Sequence, residues 1–173
     1  FAGSVILVAG SADSSRTYTS TDGGTSWVKS DKEPTGSSDT EVLFASDFAV
    51  TGTMYAATSG AGSAFSVSRD AGISWNQPSF IDTTIANIVD LAPSPDYSRD
   101  NTLFMITFGG TSNFWRSQDG GKTWERVFSS SYAGVDNLNL VILPPQYGVD
   151  CREVFLSGVS SGNPAIWKSS NNG

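Results

Sequence analysis

The residues able to do chemistry are few and mostly acidic. The 173-residue sequence holds 17 Asp and Glu against 10 Lys and Arg, and it has no histidine. Without an imidazole there is no Ser-His-Asp triad, no His-ligated zinc and no histidine proton shuttle. Cys151 is the sole cysteine. It has no partner for an internal disulfide or a CxxC metal or redox motif, and its place just before an apolar run reads as a structural thiol. An enzyme built from these residues would rely on carboxylates, tyrosine, lysine or arginine. The carboxylates that recur in successive polar segments are Asp39, Asp82 and Asp136. Two carboxyl groups flanking a glycosidic bond can hydrolyse it, one as acid and the other as base or nucleophile. The competing reading, that acidic side chains on polar loops are simply solvated, is the favoured one. Phe80 and Tyr132 are the aromatic residues beside the same segments. Either could stack on a sugar or anchor a peptide, and local packing is the plainer role.

These residues sit within a repeat. Residues 20–27 read STDGGTSW, residues 68–75 SRDAGISW and residues 117–124 SQDGGKTW, sharing the pattern S-x-D-x-G-x-[ST]-W. Trp27, Trp75 and Trp124 are 48 and then 49 residues apart. A fourth copy begins at Ser169 as SSNNG, with Asn171 in the place of the aspartate and Gly173 as its fifth residue. Gly24, Gly72 and Gly121 supply a backbone conformation that a Cβ disfavours. Asp22, Asp70 and Asp119 can accept hydrogen bonds from N–H groups of their own turn. The tryptophan is expected to open the next strand and to cover the turn as an apolar lid. The octet therefore reads as a hairpin connector. Its D-x-G also matches part of a calcium loop, but the further oxygen ligands at alternate positions are missing. Neither a metal nor a cofactor is expected. A second element repeats in phase: ASDFAVTGTMYAAT over 45–58, SPDYSRDNTLFMIT over 94–107 and PPQYGVDCREVFLSG over 144–158, aligning Phe48, Tyr97 and Tyr147.

The evenly spaced octets resemble the Asp boxes, or BNR repeats, of sialidase-like β-propellers. That group includes xyloglucanase-type glycosidases, sortilin-like receptors and photosystem II assembly factors. The resemblance covers nearly the whole chain. It implies an all-β fold of propeller blades, each of four antiparallel strands, with the Asp box between the third and fourth strands. The runs between octets are short, β-branched and aromatic, broken by Gly, Ser, Asn and Pro, as strands require, and no segment shows helical periodicity. Fourth strands are predicted over 27–29, 74–76 and 123–127. On this frame residues 1–173 form a partial propeller of about 3.5 blades. Residues 1–30 make an incomplete blade, 42–77 and 88–128 make blades, and 139–173 make a second incomplete one. Such a chain is expected to be part of a longer protein.

The same frame sorts the loops. Those between first and second strands share a face with the Asp boxes. Those joining second to third strands, and one blade to the next, share the other face, where Asp39, Asp82 and Asp136 fall. A sialidase would bring three arginines together, but only Arg16 lies on the loop face. Arg69 and Arg116 flank Asp boxes and Arg99 lies between first and second strands, so sialidase activity is disfavoured. A net charge of −7 with no basic stripe gives no footing for nucleic acid, and no apolar run approaches the roughly 20 residues of a membrane-spanning helix. A Ser- and Thr-rich, lysine-poor acidic surface suits an exported bacterial protein, extracellular or at the cell surface. The expected function is non-catalytic binding or scaffolding of protein or carbohydrate at the loop face. The open blade edges are expected to meet further blades of the parent chain or other subunits. The alternatives are a surface-layer or filament subunit assembling through those edges, and a glycoside hydrolase using paired carboxylates.

Overall fold

A computed structural model describes residues 6–80, 85–131 and 134–173. The chain forms two compact units, Phe1–Thr84 and Ile85–Gly173. In the first unit, β1 (Leu7–Gly10), β2 (Thr17–Ser20) and β3 (Val28–Lys29) form one antiparallel sheet in that order. A second sheet of four strands follows: β4 (Thr40–Phe44), β5 (Met54–Thr58), β6 (Ala64–Ser68) and β7 (Asn76–Phe80), with a one-turn helix α1 (Phe48–Thr51) between β4 and β5. The second unit repeats this plan. Its four-stranded sheet is β8 (Asn87–Pro93), β9 (Leu103–Phe108), β10 (Ser112–Ser117) and β11 (Glu125–Ser129), with α2 (Tyr97–Asp100) between β8 and β9. Then come β12 (Asn137–Ile142), β13 (Val154–Ser160) and β14 (Asn163–Ser169) in a sheet of three. Every sheet is an up-and-down meander of sequential neighbours, the architecture of a propeller blade.

Burial follows from how sheets stack. All five residues of β5 and all five of β6 are buried, as are five of the six in β9. A strand covered on both faces has no polar side to alternate with. The core of the first unit gathers Met54, Ala56 and Trp75, with Val8 of β1 and Val42 and Phe44 of β4 packed against them. That of the second joins Phe104, Ile106 and Phe114 to Leu138, Val141, Tyr147 and Val154. Phe104 stacks on Phe114 at 5.3 Å and meets the edge of Tyr147 at 5.7 Å, arrangements that aromatic quadrupoles favour.

The structure departs from the sequence reading in three places. The two helices are present although no helical periodicity is visible, because a single turn is too short to show one. Each follows an aspartate and closes on a left-handed residue, Gly52 with φ 64° and Asn101 with φ 50°. The fourth strands β3, β7 and β11 begin after the tryptophan rather than at or before it, and β7 runs on to Phe80. Residues up to the seventh of the octet are held in the turn by the aspartate, so the ladder starts later. The lid role also holds unevenly. Trp75 is 1% exposed, but Trp27 is 43% exposed and covers no core. The difference lies in the neighbouring sheet: Trp75 is enclosed with Val8 of the preceding sheet, whereas among the described residues no sheet precedes that of Trp27.

Candidate functional site

The octets fold alike down to individual hydrogen bonds. The first serine hydroxyl donates to the aspartate Oδ1, from Ser20 to Asp22 at 2.8 Å, Ser68 to Asp70 at 2.7 Å and Ser117 to Asp119 at 2.8 Å. The same serine oxygen accepts the N–H of the fifth residue, from Gly24 at 2.8 Å, Gly72 at 2.9 Å and Gly121 at 2.8 Å. The seventh residue completes the ring. Its N–H donates to the aspartate Oδ1 at 2.9 Å in Ser26, Ser74 and Thr123, and its hydroxyl to Oδ2 at 2.6, 2.5 and 2.6 Å. The fifth glycine has φ of 93°, 87° and 84° in the three copies, left-handed backbone that the sequence reading required of it. The fourth residue is left-handed as well, even where it is Ala71, with φ 57°. Its N–H reaches the preceding loop of its own sheet, from Ala71 to the Gly52 carbonyl at 3.0 Å and from Gly120 to that of Asn101 at 3.0 Å. Asn172 repeats this to Arg152 at 2.9 Å.

These donors act on the carboxyl groups. The Ser26 hydroxyl, then its N–H and the Ser20 hydroxyl, lower Asp22 to about 2. At Asp70 and Asp119 burial is the largest single influence and pushes upward. The hydroxyl and N–H of the seventh residue, with the first serine, outweigh it, so both titrate below an ordinary aspartate. Carboxylates engaged in this way by their own turn are poor bases and poor nucleophiles.

Of the candidate carboxylates among the described residues, Asp39 belongs to the first unit and Asp136 to the second. Asp136 is exposed at the end of the loop before β12. Its Oδ2 accepts the Gly162 N–H at 2.7 Å and its own N–H donates to Val159 at 2.9 Å, so it stitches that loop to the β13–β14 turn. Asp39 is half-buried, and its backbone carbonyl accepts the N–H of Ser59 at 2.9 Å. Asp82 and Tyr132 lie outside the described residues, as does the side chain of Phe80. The neighbouring acids are likewise committed: Glu33 meets the Lys29 ammonium at 2.7 Å, and Asp13 accepts the Ser11 hydroxyl at 2.6 Å. In the first unit hydrogen bonds join the β1–β2 loop, the segment before β4 and the β5–β6 loop. Thr40 at the start of β4 donates its N–H to Ser11 at 2.9 Å and its hydroxyl to Ser14 at 2.9 Å, while Ser37 and Ser38 donate to Ser59.

Sequence reasoning missed one half-buried carboxylate. Asp90 lies on β8, beside a bulge between Ile88 and Asp90, and its Oδ2 accepts the Val141 N–H of β12 at 2.7 Å. Burial raises its titration above the ordinary aspartate value, against the pull of the Val141 and Leu91 N–H groups. The signal was an aspartate inside the otherwise apolar run NIVDLAP. A second cluster of charge gathers beside α2. Arg152 sits 3.6 Å from Asp100 and over the ring of Tyr147, whose hydroxyl donates to Asn172, and Asp100 accepts the Ser94 hydroxyl at 2.7 Å.

No protein-family profile and no curated protein matches the sequence. Solved structures do. A GH74 enzyme from Niastella koreensis superposes with a TM-score of 0.65 at 19% identity, over 97% of this chain and 22% of its own. The GH74 xyloglucanase of Xanthomonas campestris gives 0.66 at 17% identity, over 97% and 27%. YCF48 from Cyanidioschyzon merolae gives 0.59 at 20% identity, over 97% and 48%. The chain thus spans about a quarter of the two GH74 proteins and half of the third. At these identities the likeness is one of fold, and that fold is the β-propeller.

Proposed function

We propose that this chain is a non-catalytic β-propeller module, exported by a bacterium to the cell surface or beyond, that binds protein or carbohydrate through its blade-linking loops. We further propose that the octets are Asp boxes with a structural role. One observation carries the reading: the Asp136 carboxylate and the three octet carboxylates are engaged by backbone and hydroxyl donors. Asp136 serves the Gly162 amide, and Asp22, Asp70 and Asp119 serve their turns. Retaining and inverting glycosidases need two carboxyl groups separated by about 5–10 Å with room for the sugar between them, whereas the candidates Asp39 and Asp136 belong to different units. The Ser- and Gly-rich composition of the loops suits shallow recognition. The alternative of a structural subunit assembling through its sheet edges draws on a different observation, the 77% exposure of Ile166 on the outer strand β14.

The test is a glycan and peptide array probed with the 173-residue chain, alongside incubation with xyloglucan and with a sialoside. Binding without release of reducing ends is the expected result. Hydrolysis that disappears in Asp39→Asn or Asp136→Asn would overturn the reading in favour of a glycosidase.

A further inference from the structure

Two equivalent places in the repeat differ in what fills them. In the third sheet the residue before the octet is Arg116, which faces Glu125 across the β10–β11 ladder. Its side chain is largely buried, and one guanidinium nitrogen lies 2.7 Å from Glu125 Oε2. The other terminal nitrogen donates to the backbone carbonyl of Asn172, the fourth residue of the next octet. In the first sheet the same two positions hold Thr19 and Val28, paired across β2 and β3 in the same register. The fourth residue of the next octet is there Ala71. Thr19 ends against the neighbouring Gly72, where an added Cβ would lie 2.7 Å from its hydroxyl oxygen. Beside them runs a groove of about 370 Å³, lined by Thr19, Val28, Lys29, Asp31, Ala71 and Ile73.

The walls of this groove match an arginine side chain part by part. Val28 is 69% and Ile73 56% exposed, apolar surface along which the methylene stem of a charged residue can lie. The Asp31 N–H donates to the Ile73 carbonyl at 2.9 Å, which holds the segment after β3 against the second octet. Its carboxylate thus lines the groove, as Glu125 flanks Arg116. Lys29 lines it too, but Glu33 meets that ammonium at 2.7 Å and balances its charge. A planar guanidinium donates to a carbonyl and a carboxylate at once, in a fixed fork, whereas an ammonium is a point charge.

We propose that this groove, between the first two octets and apart from the blade-linking loops, is a docking site for an arginine side chain of a partner polypeptide. The stem lies between Val28 and Ile73. The guanidinium donates to the Ala71 carbonyl, as Arg116 does to that of Asn172, and Asp31 supplies the opposite charge. The net charge of −7 draws a basic partner toward the chain.

The probe is the capped tripeptide acetyl-Gly-Arg-Gly-amide, titrated into the 173-residue chain and followed by calorimetry. It should bind saturably at millimolar concentration. The same peptide with citrulline for arginine should bind about tenfold more weakly or worse, having lost its charge-assisted contacts. Asp31→Asn should weaken the arginine peptide to a similar degree. Asp150→Asn, which removes the same charge outside the groove, should leave its affinity unchanged. Thr19→Arg combined with Val28→Glu rebuilds the Arg116–Glu125 pair inside the groove. That variant should abolish binding and melt at or above the temperature of the parent. Absence of saturable binding, equal affinity of the citrulline peptide, or indifference to Asp31→Asn would each overturn the proposal. Equal weakening by Asp31→Asn and Asp150→Asn would do so as well, because it would reduce the binding to general attraction by an acidic chain. Undiminished binding by the folded double variant would also refute it. Asp31 is exposed, so its variant decides the matter even where the double variant fails to fold.

Discussion

At the scale of single residues, the octet aspartate acts as an acceptor that closes a turn on itself. Asp119 takes up the Ser117 hydroxyl, the Thr123 N–H and the Thr123 hydroxyl, none of which has a better partner nearby. Asp119→Ala should therefore cost about 1–3 kcal/mol, the penalty of leaving turn donors unmet, measured as a lowered urea midpoint at fixed protein concentration. Asp119→Asn should cost less, because Asn171 already holds the opening bonds of the fourth copy. Ligand affinity should be unchanged in both, and a lost affinity with an unmoved midpoint would show the octet to be a binding site instead. The same bonds set a pH dependence. Asp22, Asp70 and Asp119 titrate lower in the folded chain than in the unfolded one. Their contribution is complete above the ordinary aspartate value and is lost as pH falls toward the folded values, about 2 for Asp22.

At the scale of elements, the link worth testing is the one between β8 and β12. Each of these first strands carries a bulge, between Ile88 and Asp90 in one and between Leu138 and Leu140 in the other. A bulge leaves a ladder group unpaired and re-aims a side chain, and here Asp90 reaches across to the Val141 N–H. Asp90→Leu should destabilise by about 1–3 kcal/mol by orphaning that amide. Asp90→Asn keeps an acceptor oxygen and removes a charge that burial disfavours, so its midpoint at neutral pH should equal or exceed that of the parent. An Asn variant as damaged as Leu would mean that the carboxylate charge itself is required. Because the Asp90 titration is raised on folding, the folded state takes up its proton before the unfolded one does. This group therefore adds stability as pH falls through its raised folded value toward the ordinary one, and withdraws it as pH rises, opposite in sign to the octets.

At the scale of the whole molecule, the open flanks govern behaviour in solution. β1 and β14 are edge strands of three-stranded sheets among the described residues, and edges with free N–H and C=O groups invite pairing. An apolar side chain lies on β14, where Ile166 is 77% exposed. The 18.2 kDa chain on its own should therefore run in size-exclusion chromatography with light scattering as associated species rather than as a single monomer. A monodisperse 18.2 kDa peak with cooperative unfolding would contradict this.

The turns were legible in the sequence because their physics is contained within eight residues. A serine, an aspartate, a glycine and a hydroxyl residue at fixed spacing satisfy one another's hydrogen bonds wherever they are placed, and their period of about 49 residues marks out the sheets. What the sequence left open depends on contacts between sheets. Trp27 and Trp75 occupy the same octet position, yet among the described residues only Trp75 has a preceding sheet, with Val8, to close over it. Asp136 and Asp90 are both acids, yet the first was marked as a candidate and the second was not, because the partner of each is a backbone amide, Gly162 or Val141, that sequence distance conceals. The helices α1 and α2 escaped for the opposite reason, being too short for any period. Local hydrogen bonding thus determined the repeat and its turns from sequence alone. The stacking of one sheet on the next decided which tryptophan is buried and which acid is held, because those outcomes depend on neighbours that only the folded chain assembles.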